Sequence, residues 1–139
     1  MPLLSLLVDD NDAFLEAASV LLEGEGVTVA GVASDIAEAL RQARALRLDV
    51  ILVDIGLGDE SGFDLAWLLA RDRQGGRRVQ RGQGGCAEVI LISSYAETDY
   101  AELITESPAA GFLAKPELTA QAIGRIPGRT RDQPAGHRA

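Results

Sequence analysis

The chain of 139 residues contains a single cysteine, Cys86, and a single lysine, Lys115. One cysteine excludes a disulfide within the chain, and nothing in the composition suggests an oxidising compartment. No apolar run approaches the roughly 20 residues that a membrane-spanning helix needs. The beginning of the chain, MPLLSLLVDD, lacks the basic start of a signal peptide and ends in two acids, which favours a first strand. We therefore expect a cytoplasmic protein without membrane contact.

Basic residues are outnumbered by acidic ones, and the formal net charge is −8. This charge disfavours non-specific binding of the chain to nucleic acid or to an anionic membrane, and it is compatible with a site rich in carboxylates. The hydrophobic fraction of 47% is typical of a folded globular protein. The length indicates one domain with a core of its own.

Strand and helix patterns alternate along the chain. The predicted strands are 3–8, 27–32, 49–53, 89–92 and 110–114, and the predicted helices are 12–23, 36–46, one that begins at Ser61 or Gly62, 96–106 and 118–126. The alternation predicts an α/β fold with a doubly wound parallel sheet and helices on both faces. In such sheets ligands bind beyond the carboxyl ends of the strands.

Two segments depart from this alternation. Residues 72–87, DRQGGRRVQRGQGGCA, are rich in Gly, Arg and Gln, and we interpret them as a solvated loop. Contact of its arginines with an acidic partner or nucleic acid is the alternative. Residues 127–139 have the composition of a disordered tail. The predicted domain is therefore 1–126.

Reactive side chains follow four of the five predicted strands. Asp9 and Asp10 follow the first strand, Asp54 the third, Ser93 the fourth and Lys115 the fifth. In a parallel sheet these ends meet at one edge. Two carboxylates ~4 Å apart repel by about 4 kcal/mol at an effective dielectric near 20, so the cluster requires a cation or a raised pKa.

This set of residues suits phosphoryl chemistry. Oxygen ligands in a partly open site favour Mg²⁺, which keeps positions for phosphate oxygens. Asp54 would be the nucleophile that accepts a phosphoryl group. Lys115 and a nearby hydroxyl would hold further oxygens of that group. A lone lysine in a chain of arginines suggests that this position needs a compact point charge.

Four ordered motifs carry a family resemblance: VDDND, LVDIGLGDESGFDL, LISSYAE and GFLAKP. With them the chain resembles a response-regulator receiver domain from about residue 3 to residue 126. The resemblance implies a five-stranded, flavodoxin-like sheet of order 2-1-3-4-5. It also implies a signalling switch that depends on phosphorylation of Asp54 by a histidine kinase or a small phosphodonor. Such a domain is not an enzyme beyond self-catalysed phosphotransfer and autodephosphorylation.

The resemblance also implies a set of Mg²⁺ ligands. Asp10, Asp54 and the main-chain carbonyl of Gly56 would bind the metal directly, and Asp9 would act through water. Gly56 lies two residues beyond Asp54, where the family tunes the lifetime of the phosphorylated state. Tyr95 lies at a second such position.

The remaining implied roles belong to the switch. Ser93, in preference to Ser94, would hydrogen-bond the phosphoryl group and move toward it on activation. Lys115 would pair with a phosphoryl oxygen. Phe112 would be the aromatic residue whose rotamer follows the hydroxyl. The chain departs from the family at Gly58, where proline is common, and we expect a freer loop there.

Partners follow from the same resemblance. We expect a sensor histidine kinase or phosphotransfer protein upstream and a separate protein or a fused output domain downstream. No helix-turn-helix pattern is present, so we predict no nucleic-acid binding by this domain. The expected state is a monomer or a weak dimer that depends on phosphorylation.

Three other classes of protein fit the sequence less well. A haloacid-dehalogenase-type phosphohydrolase has a second carboxylate two residues after its nucleophile, where this chain has Gly56. A nucleotide-binding module needs a glycine-rich phosphate loop after the first strand, where this chain has Asp9 and Asp10. A pseudo-receiver that only binds partners is disfavoured by the intact acidic, serine and lysine set.

Overall fold

The computed structural model describes residues 3–74, 87–94 and 100–125. The strands are β1 (Leu3–Val8), β2 (Val27–Ala33), β3 (Val50–Asp54), the two-residue strands β4 (Gly56–Leu57) and β5 (Glu60–Ser61), β6 (Glu88–Ser93) and β7 (Gly111–Ala114). The helices are α1 (Asp12–Gly24), α2 (Ile36–Ala45), α3 (Gly62–Gln74), α4 (Ala101–Glu106) and α5 (Ala120–Gly124), and a 3-10 turn spans Lys115–Glu117.

Five strands form one parallel sheet in the order β2-β1-β3-β6-β7. The short strands β4 and β5 form a separate antiparallel pair. When the five long strands are numbered alone, the order is 2-1-3-4-5, so the predicted fold class is confirmed. β3 lies at the centre, and every residue of it is buried. Its apolar sequence follows from this position, because a central parallel strand is covered on both faces.

The sheet separates two apolar cores, one on each face. On one face, Leu65 of α3 packs with Val53 and Leu91, together with residues of α2 and α4. On the other face, Leu22 of α1 packs with Leu52, and α5 contributes to the same core. Alternate residues of a strand point to opposite faces, so β3 serves both cores. Full burial of each such leucine contributes about 1.5–3 kcal/mol.

Side-chain caps set where several helices begin. The side-chain amide oxygen of Asn11 accepts a backbone N–H at the start of α1, and the carboxylate of Asp35 accepts one at the start of α2. The last helix begins at Ala120 rather than at 118, because the Thr119 hydroxyl caps it by accepting the Ala122 N–H at 3.0 Å. A 3-10 turn that contains Pro116 precedes this helix, and the helical pattern of the sequence did not predict that turn.

Several predictions fall outside the described residues. These are the greater part of the Gly/Arg-rich loop, the tail 127–139, Tyr95 and the first residues of the predicted helix 96–106. The domain boundary at residue 126 therefore stays a prediction. Within the described residues, no helix combines the length and apolar character needed to cross a membrane.

Candidate functional site

Asp54 is the last residue of β3 and lies in closely packed surroundings. Its strand pairs with β1 and β6, and Asp54 is aligned with Ile92. The Gly62 N–H donates to the Ile55 carbonyl at 2.7 Å, which brings the start of α3 against the end of β3. A side chain at Gly62 would collide with the Asp54 carbonyl. The backbone at Asp54 is therefore held on several sides, and its side chain is 12% exposed.

Two more carboxylates come from the end of β1. Asp9 is fully buried, its N–H donates to Ala33 and its Oδ1 accepts the Asn11 N–H at 2.9 Å. Asp10, the next residue, is exposed. Asp9, Asp10 and Asp54 each offer one carboxylate oxygen within 4.8 Å of the others. The predicted convergence of strand ends thus brings the three carboxylates into one cluster.

Lys115 is paired with two of these three acids. Its Nζ lies 2.6 Å from Asp9 Oδ2 and 3.5 Å from Asp54 Oδ2. Asp9 Oδ2 is buried, and it accepts no hydrogen bond from any of the described residues. The short contact with Lys115 is therefore an attraction between charges whose angle is poor for a hydrogen bond.

The surroundings of Asp54 make ionisation of its carboxyl group less favourable than in an ordinary aspartate. Burial and then the charge of Asp9 raise the pKa of Asp54 from 3.8 to about 6, although Lys115 and the Gly56 N–H act to lower it. At pH 7.5 the carboxylate is ionised, although burial and the nearby charge of Asp9 disfavour the ionised form. A divalent cation bound by these oxygens would relieve both the burial cost and the repulsion. Carboxylate oxygens in a partly open site are the donors that Mg²⁺ prefers, so the residues fit that ion.

The same chain matches the model of the response regulator receiver domain over residues 5–126. The chain belongs to the response regulator receiver family. Receiver domains of this family take part in two-component signalling and are typically not classical enzymes. Members of this family accept a phosphoryl group on an aspartate.

Known relatives of this receiver include both sequences and solved structures. The DNA-binding response regulator MtrA of Mycolicibacterium smegmatis is 32% identical over 135 residues, which cover 94% of this chain and 53% of MtrA. The signal receiver domain of NarL from Mycobacterium tuberculosis is 27% identical, with a TM-score of 0.70 and coverage of 92% of this chain and 98% of that one. A CheY-like receiver from Methanospirillum hungatei shares the fold, with 23% identity, a TM-score of 0.68 and coverage of 96% and 97%. The chain spans about half the length of the curated relative MtrA.

Ser93 and Phe112 of the receiver lie on neighbouring strands. Ser93 ends β6, is buried and is aligned with Ala114 of β7. Phe112 is aligned with Leu91, two residues before Ser93, and packs into the core that contains Leu91. Side chains two residues apart in a strand share a face, so Ser93 and Phe112 are on the α3 and α4 side of the sheet. This arrangement permits the predicted coupling between them, which stays a prediction.

The loop after Asp54 contains regular structure that the sequence did not predict. β4 and β5 form a hairpin whose two-residue turn is Gly58–Asp59, and Gly58 has φ +65°. A positive φ at the first turn position alone is typical of a type II′ turn. Proline cannot adopt this φ. The glycine thus permits a defined turn, one that the proline common in the family could not form.

Two contacts of the site were not predicted. The Phe14 ring lies under the Lys115 ammonium, with 4.3 Å from Nζ to the ring centroid. Glu60 Oε1 accepts the Ile36 N–H at 2.9 Å, which ties the hairpin to the start of α2. Phe14 lies within the predicted helix 12–23, and helical periodicity carries no information about a lysine 101 positions away.

Proposed function

We propose that this receiver accepts a phosphoryl group on Asp54 from a histidine kinase, a phosphotransfer protein or a small phosphodonor. The observation that carries the proposal is the position of Asp54. It ends the buried central strand and lies 3.5 Å from Lys115 Nζ, with Asp9 and Asp10 in the same cluster. In the reaction Asp54 attacks phosphorus, an oxygen–phosphorus bond forms, and the bond to the donor's leaving group breaks.

The chain's own residues would position the reactants. Lys115 would pair with an oxygen of the transferred group and offset part of its charge. The Gly56 N–H lowers the pKa of Asp54 and would so favour the ionised nucleophile. Asp10, Asp54, the Gly56 carbonyl and Asp9 through water would hold Mg²⁺. When bound, that ion supplies charge neutralisation and orientation of the phosphoryl oxygens.

The proposed readout passes through the edge of the sheet. Ser93 would donate a hydrogen bond to the phosphoryl group, and Phe112 would change rotamer with it because the two lie on the same face. Phosphorylation would then shift a pre-existing equilibrium between two forms of the β6 and β7 region. The downstream element would be a separate protein or a fused output domain. We also propose a cytoplasmic location and a monomer, or a weak dimer formed on phosphorylation.

An intact-mass experiment tests the acceptor. The parent chain, Asp54→Asn and Asp59→Asn are incubated with Mg²⁺ and acetyl phosphate, and each mass is measured over time. Asp59 is the matched control because it is an exposed aspartate in the same loop and lies outside the carboxylate cluster. We expect one phosphoryl adduct on the parent and on Asp59→Asn, and none on Asp54→Asn. Omission of Mg²⁺ should greatly slow the reaction.

Other results would point to other functions. A parent that stays unmodified through long incubation with several phosphodonors would overturn the proposal and favour a pseudo-receiver. An adduct that persists in Asp54→Asn would place the acceptor elsewhere. Continuous release of phosphate from a range of monoesters would favour a phosphohydrolase.

A further inference from the structure

The Lys115 ammonium contacts two carboxylates and the face of an aromatic ring. Asp9 and Asp54 contribute the carboxylates, at 2.6 Å and 3.5 Å from Nζ. Phe14 contributes the ring, with its centroid 4.3 Å from Nζ. Attraction between a cation and a ring operates within about 6 Å of the centroid. The ammonium therefore has two kinds of partner at once.

The aromatic partner differs from the carboxylates in one useful respect. An ammonium has three N–H donors. A ring face attracts its positive charge but does not accept a conventional hydrogen bond from one of these donors. The donors remain available for oxygens. Lys115 could therefore exchange a carboxylate oxygen for a phosphoryl oxygen while the ring contact persists. A lysine side chain has a flexible four-carbon stem, so a contact that restricts it also reduces the entropy lost on pairing.

Phe14 is itself placed by local structure. It lies in the first turn of α1, where its N–H donates to the Asn11 side chain at 3.1 Å. Its ring also packs at the margin of the core on the α1 side of the sheet. Asn11 directly follows the two acids of the cluster, so the cap that starts α1 sets the ring position relative to Asp9 and Asp10. The ring and the carboxylates are thus parts of one short segment.

We propose that Phe14 is a positioning residue that holds the Lys115 ammonium over Asp54. The kinetic part of this proposal rests on the proposed phosphorylation of Asp54, and the contact itself does not. Loss of the ring should widen the range of positions that Nζ visits. Pairing of Nζ with the incoming phosphoryl group should then become less frequent, and transfer should slow.

The single lysine makes the contact directly observable. Lysine labelled with stable isotopes places one labelled side chain in this chain of 139 residues, at Lys115, if the purification tag lacks lysine. In the metal-free parent, the ε-methylene resonances should be shifted upfield by the ring current of Phe14. Phe14→Leu should move them toward the position found in the unfolded chain, and Phe14→Tyr should retain the upfield shift. Resonances that are already at the unfolded position in the parent, or unchanged in Phe14→Leu, would overturn the proposal.

Phosphorylation kinetics test the consequence. Leucine at position 14 keeps apolar packing but lacks a ring face, and we expect the rate of adduct formation with acetyl phosphate to fall about 3- to 10-fold. Tyrosine, which keeps the face, should restore most of the rate. In a Lys115→Ala background, Phe14→Leu should cause no additional slowing. Equal slowing with and without Lys115 would overturn the proposal and indicate a packing role only.

The resonance measurement and the kinetic measurement together distinguish a failure of this inference from a failure of the proposed function. A parent that takes up no phosphoryl group contradicts the proposed function, while the labelled resonance still decides whether the ring holds the ammonium. A parent that is phosphorylated at the same rate as Phe14→Leu contradicts the positioning role alone. Circular dichroism of each variant identifies any loss of folding before the rates are compared.

Discussion

The central strand β3 and the edge strand β7 both bring a charged residue to the same site, but they do so from different surroundings. Every residue of β3 is buried, and the strand is paired on both sides. Every residue of β7 is half-buried, and within the described residues it pairs with β6 alone. β3 ends in Asp54, and the chain leaving β7 enters the 3-10 turn at Lys115.

This difference matches the two tasks of a receiver. An acceptor must be held in a fixed position to react, because phosphoryl transfer depends on alignment. An element that reports the modification must be displaceable at low free-energy cost, and elements with fewer buried contacts have lower local stability. The central strands supply the fixed carboxylates. The edge supplies Lys115 and Phe112, which would respond to the modification.

The largest expected effect compares leucines in the two strands. Leu52 of β3 is fully buried and Leu113 of β7 is half-buried, and both pack in the core on the α1 side. We expect Leu52→Ala to lower the free energy of unfolding by about 3–5 kcal/mol, and Leu113→Ala by about 1–2 kcal/mol. Urea denaturation of both variants measures the difference. Equal losses would contradict the contrast between centre and edge.

A second test compares two glycines of the loop after Asp54. A Cβ at Gly62 would meet the Asp54 carbonyl, whereas one at Gly56 would meet nothing within 4 Å. We expect Gly62→Ala to lower the free energy of unfolding by about 1–3 kcal/mol and to slow phosphorylation, because the backbone at Asp54 must shift. Gly56→Ala is the matched control and should be nearly neutral in stability. A tolerated Gly62→Ala would mean that the acceptor strand is less rigid than its packing indicates.

A third test concerns the negative charge of Asp54 at the end of the central strand. The pKa of Asp54 is about 6 in the folded protein and ordinarily 3.8, so the folded state holds the proton more tightly. The stability of the parent should therefore fall as pH rises from about 4 to about 6 and stay reduced above that range. Asp54→Asn removes this loss and should be more stable than the parent by up to about 3 kcal/mol at pH 7.5, since each unit of pKa shift corresponds to about 1.4 kcal/mol.

Denaturation in EDTA over a pH series measures that gain. The advantage of Asp54→Asn should shrink as the pH falls below about 6 and vanish near pH 3, where Asp54 is protonated in both the folded and the unfolded parent. Asp59→Asn, in an exposed position of the same loop, should follow the parent. A variant that is less stable than the parent at pH 7.5 would show that the attraction of Lys115 outweighs burial and the charge of Asp9.

The smallest expected effect lies in the turn of the hairpin. Gly58 has φ +65°, and a side chain there would approach Asp10 Oδ2 at 3.4 Å. We expect Gly58→Ala to lower the free energy of unfolding by about 1 kcal/mol, because residues with a Cβ are strained at this φ. Asparagine tolerates the same φ better and should lose less. Thermal unfolding of the two variants gives the comparison, and a more stable alanine variant would contradict the type II′ turn.

Much of the fold and of the cluster could be predicted from the sequence. Alternating apolar runs and helical stripes located the strands of the main sheet, because burial on one or both faces imposes a period on the sequence. The convergence of Asp9, Asp54 and Lys115 followed from a general rule, since parallel strands end at the same edge of a sheet. The ordered motifs indicated the family before any distance was known.

Contacts across the fold were decided by tertiary structure. Two contacts join segments that are far apart in the chain: the Phe14 ring with Lys115, and the Ile36 N–H with Glu60. The pKa of Asp54 likewise depends on Asp9 and Lys115, which are distant in sequence. No local pattern encodes them, because they depend on how two packed faces bring particular side chains within a few ångströms. The sequence by itself determined which residues reach the edge of the sheet. Packing decided which of them touch, and therefore how tightly the lysine and the acceptor carboxylate are held.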